Sequence, residues 1–403
     1  MTVIVPPAVA AAGATAIVPY GELFAALTVA GTVIDRKSPP PYNATLVTGD
    51  EEGGLTVTGA SATATVTVRL SGVARSAGRF LVDGRALARM CTALVRGDRH
   101  RDTDDVPVLL DGSCPTTPVI TVGAYSVPLN GSPTREHPGD CQPAPTIGTV
   151  ERPAFLTALH RVLPAIGHDG TLPVLTGVHL TFTPGLATLA ATDRYRLAID
   201  HLPATTTGTG EQAMLLPATI LAACATTWTG PSVTIGRTRD ADRVNLTCGQ
   251  STLSLVETVG GFPPWHKVLR QFDAQHTATF DRTLVLGHVA RVLAILAARR
   301  TTRGPITTLT LTPNGLQVAP LLPENDALVR APTLPATTSV TKGTVRWAFN
   351  AAYLRDALAA LPGDTVTFHG RSSTEAGVLF TSPDEQTAST VPYRHLLMPV
   401  RLP

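Results

Sequence analysis

A Gly-Leu pair that opens an alternating apolar stretch occurs three times in this chain. The copies are Gly54-Leu55, Gly185-Leu186 and Gly315-Leu316, spaced 131 and 130 residues apart. A second landmark keeps the period: a short strand, a residue suited to start a helix, then an apolar helix. It reads FLVDGRALARMCTAL, MLLPATILAACATTW and WAFNAAYLRDALAAL, with Asp83, Pro217 and Asn350 at the helix starts, 134 and 133 residues apart. Asp and Asn satisfy the unpaired amides of a first turn, and Pro is tolerated there. A further helical stretch precedes each Gly-Leu pair: YGELFAALTVAGTVI, ERPAFLTALHRVLPAI and DRTLVLGHVARVLAILAARR. Each copy thus predicts helix, strands, helix, strands. Solenoid units are shorter, so the repeats are whole domains. The expected fold class is α+β, three tandem domains of two helices packed on antiparallel sheets. The expected boundaries are an N-terminal extension over 1–17 and domains over 18–147, 148–270 and 271–403.

Composition narrows the function classes. Charged residues make up 15% and the formal net charge is +2. There is no global field, so any nucleic-acid affinity must come from local clustering. The five cysteines, Cys91, Cys114, Cys141, Cys224 and Cys248, include no C-x-x-C pair. An odd, scattered set argues against a disulfide framework or zinc site and suits cytosolic thiols. No apolar run approaches a membrane span. The Ala-rich N-terminus has no Lys or Arg before Arg36, whereas a signal peptide needs a basic start, so it reads as a poorly ordered extension. G-x-x-x-x-G-K-[ST], G-x-G-x-x-G, G-x-S-x-G and H-E-x-x-H are all missing. The expectation is a cytoplasmic protein that is not an enzyme, with no catalytic residue, cofactor or metal.

Two charge patterns stand out. The stretch LAATDRYRLAID, residues 189–200, reads as one alternating strand. That reading puts Arg194 and Arg196 on a single face, roughly 6.5 Å apart along the strand. Aligned without gaps, these positions fall on Thr63 and Thr65 in the first repeat and on Glu324 and Asp326 in the third. The shared fold therefore does not require the pair, and its loss should leave stability nearly unchanged. A solvated face paired with nearby acids and a binding role are both open at this point. The second pattern is segregation of charge into basic helices and acidic loops. Arg85, Arg89 and Arg96 fall within about 40° on a helical wheel. Residues 283–303 hold Arg291, Arg299, Arg300 and Arg303 and no acid, Arg36 and Lys37 follow the first helix, and Arg161 rides on the third. Cations at helix C-termini complement the dipole, but Arg85 and Arg89 lie near a helix start. Basic faces on equivalent helices suit a surface that follows a phosphate backbone without reading bases.

LAATDRYRLAID, GGFPPWHKVL, TLPVLTGV, AFNAAYL and the terminal YRHLLMPVRLP together resemble the bacterial sliding clamp, the beta subunit of DNA polymerase III, in its actinobacterial form. The resemblance covers residues 150–403 well, and the first repeat matches in plan and length. It implies three DNA-clamp domains per chain and a head-to-tail homodimer ring around double-stranded DNA, held without sequence preference. The implied DNA-facing residues are Arg36, Lys37, Arg85, Arg89, Arg161, Arg291, Arg299, Arg300 and Arg303. The implied ring edge pairs Tyr125 and Val127 with Ala294, Ile295 and Leu296 of the other chain.

The resemblance also implies a pocket between domains two and three. There the DNA polymerase III alpha subunit, the clamp loader and repair proteins dock a short peptide with a Gln and an apolar tail. Carried over by position, its residues are Leu175, Thr192, Arg194, Tyr195, Arg196, Leu197, Phe262, Pro263, Val268, Asn350, Tyr353, Met398, Pro399, Val400, Arg401 and Leu402. The function so implied is a processivity factor that tethers the replicative polymerase. KSPPPYNATL stands where clamps commonly show an L-P-x-L stretch, and the chain is slightly basic where clamps are usually acidic. The alternative is therefore a divergent second clamp, serving plasmid or phage replication or replacing a toxin-inhibited main clamp.

Overall fold

The computed structural model describes residues 13–35, 37–39, 41–96, 103–132, 137–238, 243–270, 272–299, 304–322, 324–383 and 393–401. The six expected helices form as α1 (Tyr20–Ala30), α2 (Gly84–Val95), α3 (Arg152–Val162), α4 (Ala218–Ala225), α6 (Arg282–Ala298) and α7 (Ala351–Ala360). A short α5 (Trp265–Arg270) was not expected. Two of the three helix-start residues act through their side chains. Asp83 Oδ1 accepts from the amides of Arg85 and Ala86 at 2.9 and 3.1 Å. Asn350 Oδ1 accepts from those of Ala352 and Tyr353 at 2.9 and 3.3 Å. Each repeat also opens on a strand before its first helix: Thr15–Pro19, Thr146–Glu151 and His276–Asp281. Residues 15–17, placed in the N-terminal extension from sequence, belong to the first of these. Residues 1–12 lie outside the described residues.

The chain folds as two compact units that cut across the repeats: residues 1–152 with 220–257, and residues 153–219 with 258–403. Within the first unit one sheet runs Val73–Ser76, Thr15–Pro19, Pro107–Asp111, Val119–Val122, Tyr125–Pro128. A second runs Gly131–Ser132, Gly78–Val82, Thr45–Gly49, Leu55–Ala60, Ala64–Leu70, Ser251–Val256, Arg243–Cys248, Ser232–Arg237, Thr146–Glu151. Strands of repeats one and two thus share it, joined where Ala64 pairs with Leu255 and Val68 with Ser251. The segment between those repeats is clipped across this sheet. Asp140 accepts from the hydroxyls of Thr56 and Thr58 at 2.8 and 2.6 Å, and the Cys141 amide donates to Thr67 Oγ1 at 2.9 Å.

Within the second unit the long sheet runs Gln212–Pro217, Gly177–Thr183, Leu186–Thr192, Arg196–Pro203, Arg394–Leu397, Val378–Thr381, Thr365–Gly370, His276–Asp281, Ala336–Thr338. A short sheet holds Thr333–Leu334, Gly315–Pro320, Ile306–Thr312 and Val345–Asn350. The junction between repeats is the same as in the first unit: Arg196 pairs with Leu397 and Ile199 with Arg394. The segment between repeats two and three again lies on its sheet. Phe262 stacks on His179 at 4.7 Å, and Trp265 is buried against Leu197, Ile199 and Leu396. Edge-to-face pairs, Trp347 with Phe368 and Phe368 with Phe380, fill the core at the far end. Such pairs contribute beyond their buried area.

The stretch 189–200 is two strands, not one. Leu186–Thr192 and Arg196–Pro203 are antiparallel partners, with Thr192 opposite Leu197, and Asp193–Tyr195 form the turn. Asp193 drives it: its Oδ1 accepts from the amides of Tyr195 and Arg196, both at 2.9 Å. This self-capping is the turn chemistry of Asp. Apolar alternation continues on both sides of the turn, which is why the stretch reads as a single strand. Arg194 and Arg196 therefore share no strand face.

Several histidines are buried as neutral bases. Burial, with the Arg196 charge next, pushes His395 down to about 3. Burial and then the Arg394 charge push His201 down to about 4. The unfolded chain binds these protons near 6.5, well before the folded chain does. Stability should therefore be full above pH 6.5 and fall as the pH drops toward 4. His201→Gln should flatten part of that slope in thermal melts; an unchanged slope would contradict the assignment.

Candidate partner-binding site at the Arg196 turn

All the described pocket residues lie in the second unit. Arg196 opens its strand and is only 5% exposed. Its Nε donates to Asp193 Oδ2 at 2.9 Å, and its Nη1 to Asp356 Oδ2 at 3.0 Å. Its guanidinium lies 4.0 Å from the centre of the Tyr353 ring, a cation–π contact. Tyr353 and Asp356 sit one turn apart on α7, on the same face, and Arg355 also holds Asp356, at 2.8 Å. Thr192 Oγ1 donates to the Arg196 carbonyl at 2.7 Å and accepts from the Arg194 amide at 3.2 Å.

The C-terminal segment docks beside this cluster through its backbone. The Met398 amide donates to the Tyr195 carbonyl, and the Val400 amide to the Ala348 carbonyl, both at 2.7 Å. Tyr195 and Met398 thus present exposed apolar surface side by side. Pro399 follows half-buried, and the exposed Arg401 pairs with Glu375 at 3.2 Å. Leu197 lies in the buried cluster with Trp265, against which Phe262 packs. Leu175 stands on the 3-10 turn Pro173–Leu175, and Pro263 and the exposed Val268 on the segment leading into and through α5. Leu402 lies outside the described residues.

Two sequence expectations change. Arg196 does pair with acids, but as a buried brace rather than on a solvated face. Asn350 is occupied as the cap of α7, so its carbonyl oxygen is not open to a ligand. Sequence reasoning also missed Asp193 and Asp356, the two carboxylates that hold Arg196. The turn signature TDRY gave a local signal for the first; the second lies 160 residues away in sequence and gave none.

The DNA-facing candidates divide. Lys37, Arg85, Arg89, Arg291 and Arg299 are exposed. Arg161 instead pairs with Asp200 at 3.2 Å and lies 5.8 Å from the Tyr393 ring, so it braces its own unit. Arg36, Arg300 and Arg303 lie outside the described residues. At the expected ring edge, Tyr125 is 69% exposed and Val127 half-buried, on a strand paired on one side only among the described residues. Ala294 and Ile295 are exposed on α6, but Leu296 is 2% exposed: it continues the row Val285, Val289, Val292 that packs into its own unit. Among the described residues no group of three or more His, Cys, Asp or Glu could hold a metal.

The arrangement of paired-helix repeats with shared sheets is the fold of DNA sliding clamps. Solved structures with it include the sliding clamp of Bacillus subtilis, TM-score 0.83 at 16% identity, covering 97% of this chain and 100% of that one. Another is the clamp of Pseudomonas aeruginosa bound to griselimycin, TM-score 0.79 at 20% identity, covering 97% and 100%. In sequence, residues 149–258 match the central domain of the DNA polymerase III beta subunit. The chain is 26% identical to the beta sliding clamp of Streptomyces coelicolor over 382 residues, 94% of this chain and 96% of that protein. It is 28% identical to the beta sliding clamp homolog GriR of Streptomyces muensis over 367 residues, 90% and 92% of the two. Residues 149–258 thus resemble the central domain of the DNA polymerase III beta subunit, and the whole chain is similar in sequence and in fold to bacterial beta sliding clamps.

Arg196→Ala should destabilise the protein, contrary to the expectation from sequence. It strands Asp193 and Asp356, and breaking a buried pair costs about 3–5 kcal/mol. Asp356 keeps Arg355 and some solvent, so about 2–3 kcal/mol is expected in denaturant melts. A loss below about 0.5 kcal/mol, the usual size for a surface site, would contradict the brace.

Proposed function

We propose that the chain works as a non-enzymatic processivity factor in the cytoplasm. Two copies close a ring around duplex DNA and tether the replicative polymerase, the clamp loader and repair proteins at the Arg196 site. The domain limits proposed for it are 18–147, 148–270 and 271–403. The observation that carries the reading is the repeated junction. The last strand of repeat two pairs with the strand after the first hairpin of repeat one, and repeat three does the same to repeat two. Among the described residues, the corresponding strand of repeat one, Tyr125–Pro128, has an open side, and Thr333–Leu334 ends the short sheet of repeat three. A third junction of the same kind needs a second copy, and three repeats per chain close most simply in pairs.

The exposed arginines on α2 and α6 supply phosphate contacts without base readout, which supports topological, sequence-blind binding. No helix of the described residues is long and apolar enough to cross a membrane. The divergent-copy alternative gains nothing from the relatives, since a sliding clamp and a clamp homolog match at 26% and 28%.

Val127→Asp puts a charge into the open edge and should give monomers in sedimentation; a wild-type monomer at micromolar concentration would overturn the ring. Arg85→Glu with Arg89→Glu should weaken retention on nicked circular DNA and flatten its salt dependence without creating a sequence preference. Equal wild-type retention on circular and linear DNA would rule out encirclement.

A further inference from the structure

Arg194 is the only non-glycine residue among the described residues with a positive φ, 79°. That region is uncommon for a residue with a Cβ, and Gly or Asn usually fills it. The turn closes without the Arg194 side chain: Asp193 and Thr192 make its hydrogen bonds, and Arg194 contributes only its amide. The corresponding turn of repeat one, Ser61–Thr63, carries Ala62 at its tip and no cation. Nothing in the shared fold therefore calls for an arginine here, and the backbone conformation disfavours one.

The side chain does have distinctive surroundings. It is exposed at the turn tip, next in sequence to the exposed Tyr195, whose carbonyl holds the Met398 amide. Its charge reaches Asp169, whose carboxyl lies below the usual range, chiefly through hydrogen bonds from Thr171 and to a lesser degree through Arg194. That carboxylate already accepts from the Thr171 amide and hydroxyl, at 2.9 and 2.6 Å. The other arginine of the motif, Arg196, is buried and occupied by two acids. Arg194 is therefore the cation of this turn that an incoming chain can meet, beside an apolar rim.

Building on the peptide-docking role proposed above, we infer that Arg194 is a specificity-determining residue, selecting docked peptides with a carboxylate next to their apolar anchor. The carboxylate can come from an Asp or Glu side chain or from a peptide C-terminus. Because the contact is solvent-exposed, it should act as a rim charge, changing association rate and salt dependence more than the packing of the anchor.

The test uses labelled peptides with one Gln and an apolar tail, flanked by Glu or by Gln, each with a free or an amidated C-terminus. The full-length wild type should prefer the Glu peptide by about threefold to fivefold at low salt, and the preference should fade as salt rises. A gain confined to the free C-terminus assigns the contact to the terminal carboxylate. Arg194→Gly relieves the backbone, should keep the melting temperature, and should bind both peptides equally at the weaker affinity. Arg194→Glu should reverse the preference. Equal wild-type affinity for all four peptides, or a preference that survives in Arg194→Gly, overturns the inference while leaving the docking site intact. A wild type that binds none of them removes both.

Discussion

The antiparallel register that sets Arg196 opposite Leu397 is the constraint on which the second unit depends. It joins strands of two repeats into one sheet and delivers the Arg196 guanidinium to Tyr353 and Asp356 on α7. A slip of one residue would turn Leu197 toward the acids and Arg196 toward Trp265, which neither environment could accept. The first unit uses the same register with Ala64 opposite Leu255. The shared fold thus demands a pairing there but not a charge. In the second unit the junction carries an ion-paired arginine in addition to its hydrogen bonds.

That contrast explains what could and could not be read from the chain. The repeat period, the six long helices and the capping roles of Asp83 and Asn350 were legible because caps and periodicity are local. The hairpin at Asp193 was misread because alternation ignores a turn that neither adds nor removes a polar position. The burial of Arg196 was out of reach of a linear reading: one of its partners, Asp356, is 160 residues away and belongs to another repeat. Arg161 illustrates the same limit, since its helix position suggests a free cation and only the fold brings Asp200 to it. Leu296 is the reverse case, since the row Val285, Val289, Val292, Leu296 was there to be counted.

The site combines two kinds of arginine with opposite jobs. Arg196 is fixed, desolvated and satisfied by carboxylates of its own chain, so it organises the surface above it. Arg194, two residues earlier, keeps its side chain in solvent at some cost to the backbone. Thr192 ties the two together by donating to the carbonyl of one and accepting from the amide of the other. A short turn thereby separates the bracing of the sheet junction from the surface presented outward.

The division of the middle repeat between the two units has a consequence for how such a chain can be shortened. Its opening strand Thr146–Glu151 and its closing strands, through Ser251–Val256, belong to the sheet of repeat one, while Gly177–Thr183, Leu186–Thr192, Arg196–Pro203 and Gln212–Pro217 belong to that of repeat three. Cutting between repeats, at 147 or at 270, therefore severs an internal strand pair and leaves a long, flat, apolar edge. Such an edge is a template for aggregation. A gene that loses one repeat would yield a sticky fragment rather than a smaller working protein, so shared sheets make the repeat number hard to change by deletion.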